Sequence, residues 1–94
     1  MGDAIKIVYD PLVVTEDLPG LDKKTLLDIK RVIEHKMTTQ PDVYGKPLRG
    51  PLRGYWSLRA GDYRVAYHIQ GRVVHVDVIE HRSSAYETQL NRVP

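Results

Sequence analysis

Two glycine-containing turns divide residues 55–81 into three strand-like segments. The segments YWSLR, YRVAYHI and RVVHVDVIEH are rich in β-branched and aromatic residues, and the dipeptides Gly61-Asp62 and Gln70-Gly71 separate them. Loops of two residues join antiparallel neighbours, since parallel strands need a much longer connection. We therefore predict an antiparallel three-stranded unit, and the rest of the fold must be built around it.

Two helices and one more strand are predicted ahead of that unit. Residues 4–9 alternate and are β-branched, which is typical of a strand. Asp10-Pro11 begins a short helix that Pro19-Gly20 ends. Asp22 is the predicted N-cap of a longer helix over residues 23–38, whose apolar stripe consists of Leu26, Ile29, Val32, Ile33 and Met37. Residues 41–54, with three Pro and three Gly, are predicted to form a loop.

The element order β-α-α-β-β-β predicts a small α+β fold. We expect a single domain over residues 1–94 with a mostly antiparallel four-stranded sheet. The helices should pack on one face of the sheet and leave the other face open. A hydrophobic fraction of 41% and a charged fraction of 28% are ordinary for a globular domain, so disorder is not expected.

The turns also predict which side chains meet across the sheet. A Gly61-Asp62 loop places Arg59 opposite Arg64 on the open face, where like charges destabilise the pair unless an anion lies between them. A Gln70-Gly71 loop places Arg64 opposite Asp77, so a simple ion pair is an alternative reading. A first loop shifted to Ala60-Gly61 would instead pair Arg59 with Asp62, although Ala is a poor first residue for such a turn.

Positive charge is concentrated in the second half of the chain. Residues 1–43 contain six Lys/Arg and eight Asp/Glu, whereas residues 44–94 contain eight Lys/Arg and four Asp/Glu. This asymmetry indicates an anionic partner, with a solvated basic face as the alternative. Guanidinium forks suit phosphate, and Tyr beside Arg suits stacking on single-stranded bases. The candidate RNA-binding residues are Lys46, Arg49, Arg53, Tyr55, Ser57 and Arg59.

Cysteine and histidine usage limits the chemistry. The chain has no Cys, which excludes disulfides, thiolate metal sites and a Cys nucleophile. No pair of its four His has helical metal-ligand spacing, so we expect no metal site and no cofactor. Residues 1–10 do not have the pattern of a signal peptide, and no stretch approaches 18 apolar residues. A cytoplasmic protein without a membrane segment is expected.

Two separated segments carry a resemblance to a known family. The stretch GKPLRGPLRGYWSLRAGDYRVAYHI and the later VIEHRSSAY together resemble the RelE/ParE toxin superfamily. The resemblance implies a compact α+β toxin of a type II toxin–antitoxin pair. RelE-like members are ribosome-dependent, metal-independent endoribonucleases that cut mRNA in the A site and leave 2′,3′-cyclic phosphate and 5′-hydroxyl ends. ParE-like members share the fold and poison DNA gyrase instead, which is the alternative function.

The resemblance also implies catalytic residues. By motif position, Arg64 matches the arginine that stabilises the scissile phosphate, Arg82 a second phosphate-binding arginine, and Tyr86 the C-terminal tyrosine. Two lysines of well-known RelE toxins are replaced here by Tyr55 and Ser57.

We expect His81 to take over proton transfer, because an unperturbed imidazole pKa near ~6.5 suits that role. The alternative is that His81 only orders the end of the strand. Strand parity places His81 on the open face with Arg64 and Arg59. It places Arg82 on the core side unless the strand ends or bulges near Glu80. The expected partners are a cognate antitoxin in a hetero-oligomer, the ribosome and mRNA.

Overall fold

A five-stranded mixed sheet forms the centre of the protein, for which a computed structural model describes residues 4–93. The strands are β1 (Lys6–Tyr9), β2 (Lys46–Pro47), β3 (Trp56–Ala60), β4 (Tyr63–Gln70) and β5 (Val73–His81). Their order is β1-β5-β4-β3-β2, with β1 parallel to β5 and all other neighbours antiparallel. The predicted α+β class is confirmed. The fifth strand comes from Lys46 and Pro47, which pair with β3 inside the predicted loop.

Helical segments connect β1 to β2. The chain forms a π-helical turn over Val13–Asp17, a 3₁₀ turn over Leu18–Gly20, helix α1 over Lys23–Val32, a second π-helical turn over Ile33–Met37 and helix α2 over Pro41–Tyr44. Asp22 caps α1 as predicted, since its carboxylate accepts a hydrogen bond of 2.7 Å from the Thr25 N–H. The predicted helix over residues 23–38 is therefore present, with its last turn widened.

One face of the sheet carries the hydrophobic core. The side chains of Ile29, Ile33 and Met37 are buried against it, which confirms the apolar stripe of the longer helix. The sheet side of this core consists of Leu58, Ala60, Val65, Tyr67, Val74, Val76 and Ile79. Their positions alternate along each strand up to Val76, so the other side chains of β3 and β4 point to the opposite face.

The first hairpin has the predicted register and the second does not. Arg59 lies opposite Arg64, and Gly61 begins the loop with φ of 63°. In the second hairpin the loop is Gly71-Arg72 rather than Gln70-Gly71, because Gly71, with φ of 59°, again takes the first loop position. The expected pairing of Arg64 with Asp77 is therefore wrong, and Arg64 lies opposite Glu80.

A β-bulge at Asp77 changes the parity of β5. Tyr67 pairs with Val76, but its neighbour Ala66 pairs with Val78, so Asp77 is an extra residue in the strand. After the bulge, Glu80 shares a face with Arg64, and His81 pairs with Tyr63. The sequence allows a bulge near Glu80. The observed bulge lies three residues earlier, at Asp77, and decides where the end of β5 points.

A third helix, α3 (Glu87–Arg92), packs on the face opposite the core. It was not predicted, and it departs from the expectation that all helices lie on one face. Arg92 at its C-terminal end donates to both carboxylate oxygens of Asp17, at 2.8 and 2.9 Å, which raises the pKa of that guanidinium. The Asp17 carboxylate also accepts from the Ile79 N–H at 2.9 Å, so it ties α3 and β5 to the first helical turn.

Tyr67 ties the sheet to α2 through its hydroxyl group. The side chain is fully buried, and the hydroxyl donates to the Pro41 carbonyl at 2.5 Å. Burial, with a smaller contribution from the Asp42 charge, raises the pKa of Tyr67 from 10.0 to about 12. The phenol therefore remains protonated in the folded chain at a pH where the unfolded chain already loses the proton.

Replacing Tyr67 with Phe should change how stability depends on alkaline pH. A raised folded-state pKa gives the wild type stability that is complete below pH ~10 and is lost between ~10 and ~12, by roughly 2–3 kcal/mol. Tyr67→Phe should lose about 1 kcal/mol at pH 8 from the missing hydrogen bond, and lack that alkaline decline. Urea unfolding of both proteins from pH 8 to 11.5 measures the difference. Parallel pH profiles would contradict the assignment.

Candidate active site on the open face of the sheet

Several predicted site residues converge on one groove, here called the arginine groove. It has a volume of about 300 Å³ and is lined by Tyr44, Gly45, Lys46, Ser57, Arg59, Arg64 and Tyr86. The lining residues come from the end of α2, from β2, β3 and β4, and from the residue that precedes α3. Five of the ten predicted site residues are among them: Lys46, Ser57, Arg59, Arg64 and Tyr86. Cationic and hydroxyl groups dominate this lining, which is the chemistry expected of a phosphate-binding surface.

Arg59 and Arg64 form a cross-strand pair of like charge at the centre of the groove. They lie directly opposite each other on β3 and β4. The Arg59 Nε donates to the Gly61 carbonyl at 2.9 Å, which turns its guanidinium toward the hairpin loop. Opposed cations on a sheet cost a few tenths to ~1 kcal/mol. An anion held between the two guanidinium groups would offset that cost.

Tyr86 holds the Arg64 guanidinium against the sheet. Its ring centroid lies 4.3 Å from Arg64 Cζ, within the range of a cation–π interaction. A guanidinium N–H of Arg64 also donates to the Arg82 carbonyl at 3.1 Å. Ala85 and Tyr86 both have left-handed backbones, with φ of 52° and 66°, which costs ~1–2 kcal/mol per residue. Backbone strain at Ala85 and Tyr86 thus accompanies the placement of the Tyr86 ring over Arg64.

Lys46 supplies an ammonium group at the edge of the groove. It pairs with Ser57 across β2 and β3, and both residues line the groove. Ser57 stands where the resemblance implied a lysine. Strand β2 therefore places the Lys46 ammonium group beside Ser57, the position at which the family motif carries a lysine.

Glu80 is a buried carboxylate beside Arg64. Glu80 is 6% exposed and lies opposite Arg64 in the sheet. Its oxygens accept hydrogen bonds from the N–H groups of Thr88 and Gln89 in the first turn of α3, at 3.3 and 3.2 Å. Sequence reasoning missed this contact, because α3 itself was not predicted.

His81 does not line the arginine groove. The expected placement on the open face is wrong, because the bulge at Asp77 makes His81 pair with Tyr63, and the two rings pack edge to face at 5.2 Å. His81 Nδ1 lies 2.8 Å from the Ser83 hydroxyl and accepts from the Ser83 N–H at 3.1 Å. The imidazole thus caps the 3₁₀ turn over Arg82–Ser84, as the alternative reading proposed.

Arg82 reaches the groove through its backbone. Its carbonyl accepts from Arg64, and its N–H donates to the Asp62 carbonyl at 2.8 Å. The guanidinium turns away to the hairpin loop, with Nε 3.7 Å from the Asp62 carboxylate in an exposed ion pair. Such pairs contribute ~0–1 kcal/mol, so the side chain is weakly held where the structure places it.

The other predicted RNA-binding residues lie outside the groove. Arg49 and Arg53 are exposed on either side of the 3₁₀ turn over Gly50–Leu52. Tyr55 shares the face of Ser57 but packs edge to face on His68 at 5.8 Å, beyond the groove. His68 in turn lies 2.6 Å from the Asp77 carboxylate through Nδ1. Burial raises the pKa of Asp77, while the His68 hydrogen bond opposes that effect.

Comparison with known proteins identifies the family. A family model described as "ParE toxin of type II toxin-antitoxin system, parDE" matches residues 8–86. The Toxin RelE of Mycobacterium tuberculosis is 36% identical over 72 residues, which cover 74% of this chain and 74% of that protein. This chain belongs to the RelE/ParE toxin superfamily.

Solved structures agree with the fold of the toxin. The crystal structure of a RelBE toxin–antitoxin complex from Mycobacterium tuberculosis matches with a TM-score of 0.78 at 27% identity, covering 85% of this chain and 100% of that chain. A RelB–RelE antitoxin–toxin complex from Methanococcus jannaschii matches with a TM-score of 0.67 at 21% identity, covering 86% and 96% of the two chains. The second similarity concerns the fold alone.

Within residues 4–93, no group of three or more His, Asp or Glu side chains is placed to hold a metal ion. In the same part of the chain, no helix has the length and apolarity that crossing a bilayer requires.

Gly45 lets the groove form next to the core of the toxin. A Cβ atom at this position would lie 1.7 Å from the Tyr67 hydroxyl oxygen, so a larger residue cannot fit without moving a buried ring. Gly45 lies between Tyr44 and Lys46, which both line the groove. The sequence carries no local signal for this constraint, because the clash involves a residue more than twenty positions away.

Replacing Gly45 with Ala should therefore destabilise the toxin. Forcing Tyr67 aside in a packed core should cost ~1–3 kcal/mol and displace Lys46. Gly20→Ala is the matched control, because a Cβ there meets no atom within 4 Å and no positive φ is involved. Chemical denaturation should show the loss for Gly45→Ala and almost none for Gly20→Ala. Equal stability of the two variants would contradict the packing argument.

Proposed function

We propose that this toxin is a ribosome-dependent, metal-independent endoribonuclease that cuts mRNA in the A site. The observation that carries the proposal is the arginine groove, in which Arg59, Arg64, Lys46 and Tyr86 meet on one exposed face. A pair of opposed guanidinium groups suits a phosphate diester. Lys46 and Tyr86 beside them can act as a general base and a general acid toward the reacting ribose and its phosphate.

The proposed reaction uses the RNA itself as nucleophile. The 2′-oxygen attacks the adjacent phosphorus, the bond from phosphorus to the 5′-oxygen breaks, and a 2′,3′-cyclic phosphate and a 5′-hydroxyl result. One proton leaves the 2′-hydroxyl and one is delivered to the 5′-oxygen. Arg59 and Arg64 donate hydrogen bonds to the non-bridging oxygens, where negative charge builds up in the transition state.

The proton transfers are assigned to Lys46 and Tyr86. Both line the groove, whereas His81 uses Nδ1 to cap a turn outside it. Lys46 takes the place of the lysines that the family motif carries on the following strand. This assignment replaces the expectation that His81 moves the protons. His81→Gln tests the difference, because a large loss of cleavage would return the role to the imidazole.

The ribosome would orient the substrate in this proposal. Arg59 and Lys46 are exposed, and the groove is too open to hold a flexible RNA in one conformation. Arg49 and Arg53, exposed on the loop beside β2, would bind phosphates of ribosomal RNA. Arg82 and Tyr55 would contact RNA further from the scissile bond. The activity is accordingly placed in the cytoplasm.

A cognate antitoxin is the proposed protein partner. One of the matching structures, from Mycobacterium tuberculosis, is a toxin–antitoxin complex. An antitoxin that covers the arginine groove or moves Tyr86 would block the proposed chemistry directly. The pair would then exist as a hetero-oligomer until the antitoxin is removed.

Replacing Arg64 with Ala should strongly slow mRNA cleavage during translation. Loss of a donor to the developing charge should lower the cleavage rate by about 100-fold or more. Mapping of mRNA ends in a bacterial cell-free translation reaction measures this, with new 5′-hydroxyl ends expected inside A-site codons. Arg31→Ala, which removes the same charge from an exposed position on α1, should cleave like the wild type.

The second candidate is a gyrase poison, because the matching family model is described as a ParE toxin. Intact mRNA with undisturbed translation, together with accumulation of gyrase–DNA cleavage complexes, would overturn the ribonuclease proposal. Wild-type cleavage by Arg64→Ala would overturn the assignment of the groove.

Free RNA should be a poor substrate. If the ribosome orients the mRNA, the same concentration of toxin should cut naked RNA at least ~100-fold more slowly than mRNA on translating ribosomes. Parallel time courses with and without ribosomes test this point. Rapid cleavage of naked RNA that depends on Arg64 would contradict ribosome dependence and leave the ribonuclease assignment intact.

A further inference from the structure

We propose that Glu80 is a positioning residue that holds Tyr86 over Arg64 by capping α3 from the neighbouring strand. The inference rests on the proposed ribonuclease function, since it concerns how the arginine groove is assembled. Glu80 does not line the groove and has no direct contact with a substrate in this proposal. It acts through the first turn of α3.

The hydrogen bonds made by Glu80 are those of a missing N-cap. Tyr86 occupies the N-cap position of α3, and its side chain makes no capping hydrogen bond. The N–H groups of Thr88 and Gln89, two and three residues further on, are the donors that a capping side chain normally satisfies. Both donate instead to Glu80, one to each carboxylate oxygen. The strand therefore supplies the cap that Tyr86 cannot.

This arrangement directs the Glu80 carboxylate to the backbone of α3 rather than to the Arg64 guanidinium. The two residues are direct neighbours across β4 and β5, where an ion pair would be the ordinary outcome. Within residues 4–93, no ion pair joins them; Arg64 interacts with the Tyr86 ring and the Arg82 carbonyl. The carboxylate is satisfied by the backbone of α3, so the Arg64 guanidinium stays available to an anion in the groove.

The backbone before α3 needs such a restraint. Ala85 and Tyr86 are both left-handed, a conformation that persists where the surrounding structure holds it. Helix α3 has six residues and is too short to be stable alone. Arg92 fixes its C-terminal end to Asp17, and Glu80 fixes its N-terminal end. Without Glu80 the first turn would fray, and the Tyr86 ring would leave Arg64.

The test compares Glu80→Ala and Glu80→Gln with Glu87→Gln in the full chain. Glu87 is an exposed acid in the same turn of α3, so its substitution removes equal charge without touching the cap. Glu80→Ala should slow A-site cleavage at saturating ribosomes by ~10- to 100-fold and change ribosome affinity less than ~2-fold. Glu80→Gln, with one carbonyl acceptor left, should fall between. Glu87→Gln should cleave within ~2-fold of the wild type.

A double substitution separates positioning from general damage to the fold. If Glu80 acts through Tyr86, Glu80→Ala should cause no further loss in a Tyr86→Ala background. Equal losses in the presence and absence of the Tyr86 side chain would overturn the proposal. So would a decrease in cleavage that only follows the folded fraction measured by circular dichroism.

A readout without RNA keeps this inference distinct from the proposed function. The Arg64 Nε–H resonance should carry a ring-current shift from Tyr86 that disappears in Tyr86→Ala and Glu80→Ala but persists in Glu87→Gln. If it persists in Glu80→Ala, the positioning role is wrong. If wild type and Arg64→Ala both leave mRNA intact while the resonance moves as expected, the ribonuclease function fails and the capping contact stands.

Discussion

The extra residue in β5 determines which side chains reach the functional face. Without the bulge at Asp77, strand alternation would place His81 on the same face as Arg64 and turn Glu80 toward the core. With the bulge, Glu80 shares the face of Arg64 and accepts hydrogen bonds from the first turn of α3, while His81 caps the turn over Arg82–Ser84. The inserted residue is itself held, because its carboxylate contacts His68 and its carbonyl accepts from Arg92. The placement of α3 and of Tyr86 therefore depends on a single irregularity in the sheet.

The predictable part of the fold came from local signals. Gly61, Asp22, Pro11 and the apolar spacing along α1 each act within a few residues, so the first hairpin, the helix start and the core stripe follow from sequence. The pair Arg59 and Arg64 followed from that hairpin. The bulge, the strand formed by Lys46 and Pro47, and the capping of α3 by Glu80 arise from partners distant in sequence. Alternation alone cannot locate an inserted residue, which is why the position of His81 was mistaken.

Two groups of charged residues near the groove have different physical roles. Asp17, Arg92 and Glu80 are largely buried, and hydrogen bonds within the fold satisfy them. Arg59 and Lys46 are exposed, and Arg64 is half-buried beneath an aromatic ring. The first group fixes the helix that follows Tyr86, and the second presents positive charge in the groove. The net charge of +2 does not reveal these two roles, because it counts the hydrogen-bonded acids Asp17 and Glu80 against the arginines of the groove.

The short strand β2 also affects how the sheet can meet another sheet. A two-residue edge strand that contains Lys46 and Pro47 offers few backbone donors, since proline has no N–H, and the neighbouring stretch of β3 carries the Arg59 charge. The opposite edge, β1, is longer and free of proline. Strand-to-strand association is therefore disfavoured at the β2 edge of the sheet. Growth into an open-ended fibre uses both edges of every sheet, so an edge of this kind opposes it.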